Sequence, residues 1–104
     1  MNQTVEARVR LAAGGARVVQ CTLCGADGRE TVLSDSGPHA DPWEARAAAA
    51  ESAAKHERET GAPAYVTDLT HAPVVRLAAR AFARVAEDAK RRVDERTGAA
   101  EKGD

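Results

Sequence analysis

The sequence predicts a single small α+β domain, in which a three-stranded antiparallel meander is followed by two helices. Three observations support this fold class. The chain has 104 residues, which suits one hydrophobic core and is too short for two. Its first third alternates apolar and polar side chains with the period of a strand, and two later stretches repeat apolar residues with the period of a helix.

The predicted strands occupy the N-terminal third. Between Thr4 and Leu11, valine, alanine and leucine alternate with glutamate and arginine, as in a strand with one solvated face. A glycine turn separates this run from the second, 17–21, and a Cys-Gly-Ala-Asp-Gly segment leads into the third, 30–33. We therefore expect a meander with its two cysteines at the turn between the second and third strands.

The first helix has defined ends. Asp41 is a suitable N-cap, because a proline follows it at the first helical position and a glutamate stands three residues later, as in a capping box. The helix should run to about Thr60 and end at Gly61. His56 falls on an alanine face of this helix, where another backbone can approach closely. The other members of that face are Ala45, Ala49 and Ala53.

The C-terminal part contains a short extended piece, 64–67, and a second helix predicted over 73–97, before Gly98. Residues 1–98 are expected to form one domain, and 99–104 a frayed tail. The apolar residues of the helix recur three and four apart, a spacing that suits a core face or pairing with another helix. They are Val75, Ala78, Phe82, Val85, Ala89 and Val93.

Composition narrows the classes of function. Fifteen basic residues face 16 acidic ones, and the net charge of −1 argues against a chain that coats nucleic acid or anionic membrane. The first residues lack the pattern of a signal peptide, and no stretch approaches about 20 apolar residues, so we expect a cytoplasmic protein without a membrane partner. Alanine is abundant and isoleucine is absent, which predicts a thin core that benefits from a metal or a partner subunit.

The strongest local motif is Cys21-x-x-Cys24-Gly25. A two-residue spacer allows two thiolates to bind one zinc ion at about 2.3 Å, and a glycine tolerates the backbone conformation of a zinc knuckle. Two cysteines at this spacing indicate a metal site or a redox pair, not a secreted disulfide framework. The remaining ligands would have to come from the three histidines of the chain.

Residues 17–66 also resemble a known group of proteins. A strand, Cys-x-x-Cys, a second strand and an alanine-rich helix that closes with His56-Glu-Arg-Glu-Thr-Gly61 are similar to small C2H2-like zinc-binding proteins of high-GC Gram-positive bacteria and their phages. The resemblance implies a ββα-like zinc unit with Cys21, Cys24 and His56 as ligands. The position of the usual last histidine is held by Ala62, which leaves the fourth ligand open.

Two histidines are candidates for that fourth ligand. His39 lies two residues before the Asp41 cap and is preferred, and His71, just before the second helix, is the alternative. Water, a carboxylate or loss of the metal also remain open, and without metal the cysteines would be buried free thiols. A redox pair would need a lowered thiol pKa, typically at a helix N-terminus, whereas this pair precedes a Gly-Ala-Asp-Gly segment.

No catalytic motif is present. The chain lacks a P-loop, a Gly-x-Gly-x-x-Gly loop, a Gly-x-Ser-x-Gly elbow and a His-Glu-x-x-His helix. Zinc deaminases place their His-x-Glu before the Cys-x-x-Cys, which is the reverse of the order here. We therefore expect neither enzymatic activity nor a small-molecule substrate.

An arginine row on the second predicted helix suggests a binding surface. Arg76, Arg80 and Arg84 are four residues apart, with Arg91 near them on the helical wheel, and phosphates or an acidic partner would relieve their repulsion. The interpretation that follows is a non-catalytic, zinc-stabilised regulatory or accessory module that binds another protein or itself through its C-terminal helix. The alternatives are a DNA-binding regulator that uses the arginine row and a metal-free homodimer.

Overall fold

The computed structural model describes residues 2–102, with the side chains of 93 and 96–102 left out of the description. The α+β class is confirmed, but the predicted three-stranded sheet is part of a five-stranded mixed sheet of order β3-β2-β1-β4-β5. The elements are β1 (Thr4–Leu11), β2 (Arg17–Cys24), β3 (Glu30–His39), α1 (Pro42–Thr60), β4 (Ala64–Asp68), β5 (Val75–Ala78) and α2 (Ala79–Lys102).

The first three strands pair antiparallel in sequence order, as the alternating pattern predicts. A short 3-10 turn, Ala13–Gly15, joins β1 to β2, and both of its glycines have a positive φ that other residues rarely adopt. Val5, Ala7 and Val9 point to the side covered by α1 and are fully buried. Both β2 and β3 are longer than predicted, so the cysteines lie on a strand and not in the turn after it.

Helix α1 forms as its sequence predicts. The Asp41 side chain accepts a hydrogen bond from the backbone N–H of Trp43 at 2.9 Å, and Gly61 ends the helix with a φ of 74°. The face predicted to carry His56 is the buried one. Its buried residues are Ala45, Ala49, Ala50, Ala53 and His56.

The chain returns beside β1 after this helix. The predicted extended piece is β4, which pairs parallel with β1 and places Ala7 opposite Val66. Periodicity along one segment does not state which strand it will pair with, and the meander therefore accounts for only three of the five strands.

The second helix begins later than predicted. Val75 to Ala78 form β5 and pair antiparallel with β4, so the helix starts at Ala79 and not near Pro73. Along β5 the burial alternates between half-buried and exposed positions, which matches a strand better than a helix. At its other end the helix passes Gly98, and the predicted tail, 99–104, falls partly outside the described residues.

The core between the sheet and α1 is thin, as the composition predicts. Most of the buried apolar side chains in the described chain are alanine and valine, and Phe82 of α2 is the one large aromatic side chain among them. Neither helix of the described chain combines the length and the apolar composition that a membrane crossing requires.

Candidate functional site

A chain of polar side chains connects the sheet to α1. Cys21 Sγ lies 3.1 Å from Ser52 Oγ, Ser52 Oγ lies 3.2 Å from Ser34 Oγ, and Ser34 Oγ lies 3.1 Å from His56 Nε2. The other ring nitrogen of His56, Nδ1, lies 3.2 Å from Glu59 Oε2. Five side chains from three elements therefore form one continuous hydrogen-bonded chain.

The fold explains why these side chains meet. Cys21 of β2 and Ser34 of β3 are direct neighbours across the strand pair. Ser52 and His56 are four residues apart on α1, so they lie on the same helix face, and Glu59 follows one turn later. The alanines around them let α1 approach the sheet closely enough for hydrogen bonds between the two layers.

With Glu59 as a carboxylate and His56 as a neutral imidazole, the hydrogen bonds take one direction along the chain. An ionised Glu59 accepts only, so His56 Nδ1 donates to it, and Nε2 is then left to accept from the Ser34 hydroxyl. Ser34 in turn accepts from Ser52, whose oxygen accepts from the Cys21 thiol. In this arrangement each group donates once, and the proton of Ser34 points at an imidazole lone pair.

The chain of polar groups borders an open cleft of about 380 Å³. His56 is 8% exposed, whereas Ser34 and Ser52 are half-buried, so the two hydroxyls and one edge of the imidazole face a space that a small molecule can enter. The lining residues are Leu33, Ser34, Asp35, Ser36, Ala48, Glu51, Ser52, Lys55 and His56.

The two cysteines of the predicted zinc site are separated by the sheet. Their odd spacing on β2 turns the side chains to opposite faces, and while Cys21 meets α1, Cys24 Sγ lies 3.9 Å from Arg8 Nη2 and 3.6 Å from Glu30 Oε1 on the other face. Both are free cysteines, with Cys21 buried and Cys24 half-buried. The strand conformation therefore does not direct the two thiols toward one ion.

The predicted histidine ligands are also apart from one another. His39 Nε2 lies 3.2 Å from Ser36 Oγ, and His71 Nδ1 lies 3.0 Å from the carbonyl oxygen of Pro73, in the loop before β5. Both ring nitrogens of His56 are already hydrogen-bonded. Among the side chains that the structure describes, no three of the His, Cys, Asp and Glu types lie close enough to share a metal ion. This geometry does not fit the predicted ligand set, and zinc stays a prediction of the motif.

The predicted arginine row is divided between two elements. Arg76 lies on β5, where it donates to Glu6 at 2.6 Å and stacks over the ring of Tyr65, and the hydrogen bond to Glu6 raises the pKa of Arg76 above its ordinary value. Arg80 and Arg84 lie on α2, together with Arg91, which pairs with Asp88. The prediction that Arg76 shares a helix face with the others is wrong, because β5 replaces the first predicted turns of that helix.

A second polar cluster, on the sheet face opposite α1, was not predicted. Arg8 donates to Glu30 at 2.8 Å and to Thr22 at 3.1 Å. The hydrogen bond from Arg8 to Glu30, together with the positive charge of Arg8, lowers the pKa of Glu30. Alternation along β1 shows which of its side chains share a face, but the register with β2 and β3 is needed to bring these residues together.

No family model, curated protein or solved structure matches this chain significantly. The resemblance to small zinc-binding proteins therefore rests on the motif alone.

Proposed function

We propose that the chain is an interaction module that pairs with a second copy of itself through α2. The observation that carries this proposal is the position of Val85, which is 57% exposed on the apolar face of the helix. That face continues the one that packs on the core, and at Val85 the chain's own core does not cover it.

The support for α2 within its own chain ends early. Ala79 and Phe82 are buried, and Ala83 and Ala86 are half-buried against the core. Among the later residues with described side chains, Ala89 alone is half-buried. Helices in proteins owe most of their stability to the packing of an amphipathic face, so the described residues of α2 after Ala86 gain little from their own chain.

An apolar groove of about 210 Å³ lies beside Val85 and offers a surface for burial. Its apolar residues come from β5, α2 and the start of α1. They are Trp43, Val75, Leu77, Phe82, Val85, Ala86 and Ala89. An exposed apolar surface of this kind is typical of an interaction site.

The charges beside this face favour a second copy as the partner. On the helical wheel, Asp88 and Arg92 lie on one flank of the apolar face, and Lys90 and Asp94 lie on the other. In an antiparallel pair related by a two-fold axis, each flank meets the same flank of the other chain. Residues of opposite sign then face each other on both flanks, which suits self-association.

Sedimentation equilibrium over a range of concentrations tests the proposal. We expect a reversible monomer–dimer equilibrium, and we expect Val85→Asp to weaken it by at least about tenfold in Kd, or about 1.4 kcal/mol, because an unpaired carboxylate would be buried. Val32→Asp is the matched control, since Val32 is 53% exposed on the edge strand β3, away from α2. A wild-type chain that stays monomeric at high concentration would contradict the proposal.

The alternative that the chain binds DNA is tested separately on the same purified protein. Fluorescence anisotropy with duplex DNA, from low to physiological salt, is expected to detect only weak binding that salt abolishes. Tight binding at physiological salt that Arg80→Ala weakens would instead favour a DNA-binding regulator.

A further inference from the structure

We propose that the chain also hydrolyses short-chain esters, with Ser34 as the nucleophile and His56 as the general base. This inference goes beyond self-association and concerns the opposite end of α1. It rests on the chain of contacts from Ser34 Oγ to His56 Nε2 and from His56 Nδ1 to Glu59 Oε2.

The arrangement contains the three groups that activate a serine. A nucleophilic hydroxyl needs a base within hydrogen-bond reach, and the base needs a third group that fixes its tautomer and orientation. Ser34 and His56 are 3.1 Å apart, and Glu59 is 3.2 Å from the far nitrogen of the ring. Glu59 is thus a positioning residue, because it acts on the reaction through His56.

A second serine–histidine pair in the same chain lacks the third group. Ser36 Oγ lies 3.2 Å from His39 Nε2, yet within the described residues no carboxylate is hydrogen-bonded to the other ring nitrogen of His39. This pair is exposed, whereas His56 is 8% exposed. Of these two pairs, only Ser34 and His56 therefore combine a serine, a histidine and an orienting carboxylate.

The cleft beside Ser34 suits a small ester. Its volume of about 380 Å³ leaves room for a short acyl group and a small leaving group. Leu33 and Ala48 supply apolar surface to the same cleft as the hydroxyls of Ser34 and Ser52.

The reaction has two balanced steps. In the first, Ser34 Oγ forms a bond to the carbonyl carbon, His56 Nε2 takes the hydroxyl proton, and the ester C–O bond breaks as that proton passes to the leaving alcohol. In the second, water attacks the acyl-serine, His56 takes a proton from the water, and the same proton returns to Ser34 Oγ as the carboxylic acid leaves.

The absence of a sequence motif does not weigh against this site. Serine triads on unrelated folds share a geometry and a set of roles, not a spacing in the sequence. Here the nucleophile lies on β3 and the other two groups lie on α1, so their meeting depends on how the helix packs on the sheet.

The test uses p-nitrophenyl acetate as the probe and follows nitrophenolate release by the full chain. We expect saturable hydrolysis and an acetyl group on Ser34 in peptide mass maps of the quenched reaction. Ser34→Ala and His56→Ala should each lower the rate by at least about 100-fold, the usual range for a general base. Glu59→Gln should lower kcat and leave KM unchanged. Thr31→Ala removes an exposed hydroxyl of β3 outside the cleft and should keep the wild-type rate.

Two results would overturn the assignment. One is a Ser34→Ala chain that hydrolyses the probe as fast as the wild type, with its fold intact by circular dichroism. The other applies if Ser34→Ala does not fold, and it uses an alkyl fluorophosphonate, which reacts with activated serines, on the wild-type chain. Modification at Ser34 supports the assignment, and an unmodified Ser34 contradicts it. Added imidazole should raise the rate of His56→Ala more than that of Ser34→Ala, and equal increases in the two variants would contradict a catalytic role for His56.

Discussion

The two helices differ in how the rest of the chain supports them. Helix α1 is capped at both ends and buries an alanine face against the sheet, although its sequence is only weakly amphipathic. Helix α2 is far more amphipathic, yet among its described side chains after Ala86 only Ala89 is half-buried. A strong apolar stripe thus predicts that a helix face is buried, but whether the same chain or another one covers that face depends on the fold.

The largest expected effect comes from an ion pair that ties α1 to the sheet. Arg46 Nε lies 2.7 Å from Asp68 Oδ2, and the two side chains are 17% and 3% exposed. Asp68→Ala leaves Arg46 without its partner, and we expect a loss of about 3 kcal/mol in the free energy of unfolding, measured in urea. The exposed pair of Asp88 and Arg91 on α2 is the control, where Asp88→Ala should cost less than about 0.5 kcal/mol. Equal losses would contradict the difference between the helices.

Replacing an alanine by leucine should also affect the two helices differently. Ala49 of α1 is fully buried, so Ala49→Leu is expected to cost about 1–3 kcal/mol through overpacking. Ala89→Leu on α2 adds apolar surface at a half-buried position, and it should leave the stability of the monomer unchanged and strengthen self-association. Urea unfolding and sedimentation of both variants measure this. A destabilised Ala89→Leu monomer would place that face in the internal core.

Acid is expected to weaken the ion pair between Arg46 and Asp68 that ties α1 to the sheet. Burial alone would raise the pKa of Asp68, but hydrogen bonds from Thr70 and Arg46 outweigh it and hold the pKa below its ordinary value. Because the folded-state pKa is the lower one, the stabilisation is present above the pKa of the unfolded chain and is lost as the pH falls through the folded-state pKa. Urea unfolding below about pH 4 should show this loss. Asp68→Asn should flatten the profile over this range, and an unchanged profile would contradict the assignment.

Substitution of the cysteines is expected to have a smaller effect on stability, and the result also tests the zinc prediction. A shared zinc ion would make Cys21→Ser and Cys24→Ser equivalent, with the same loss of metal and of stability. Their positions on opposite faces of β2 predict different losses in the free energy of unfolding instead. Cys21→Ser buries a hydroxyl and should cost about 1–2 kcal/mol, whereas Cys24→Ser changes a half-buried position and should cost little. Elemental analysis together with urea unfolding measures both quantities. About one zinc per chain, lost equally in both variants, would restore the predicted site.

Local signals in the sequence predicted the elements that depend on local chemistry. The cap at Asp41, the end at Gly61 and the buried alanine face of α1 are confirmed, because capping and periodicity act within a few residues. The segment before α2 was misassigned, since Val75 and Leu77 satisfy a strand period as well as part of a helical one. Pairing with β4 decided between them.

The candidate site could be predicted only in part. The sequence predicts His56 on an alanine face of α1, which is the buried face, and also predicts that it shares a zinc ion with Cys21 and Cys24. The hydroxyl that it contacts belongs to Ser34, which becomes a neighbour of Cys21 only through the register of β2 and β3. That register includes an irregularity beside Cys21, and no periodic pattern in either strand predicts it.

Amide hydrogen exchange at several protein concentrations tests the proposed pairing through α2 most directly, because it reports on both helices in one sample. We predict that the buried face of α1 exchanges slowly at every concentration, whereas residues 87–95 of α2 exchange quickly in dilute solution and become protected as the concentration rises. Val85→Asp should remove the concentration dependence and leave α1 unchanged. Residues 87–95 that exchange at the same rate at all concentrations would contradict pairing through α2.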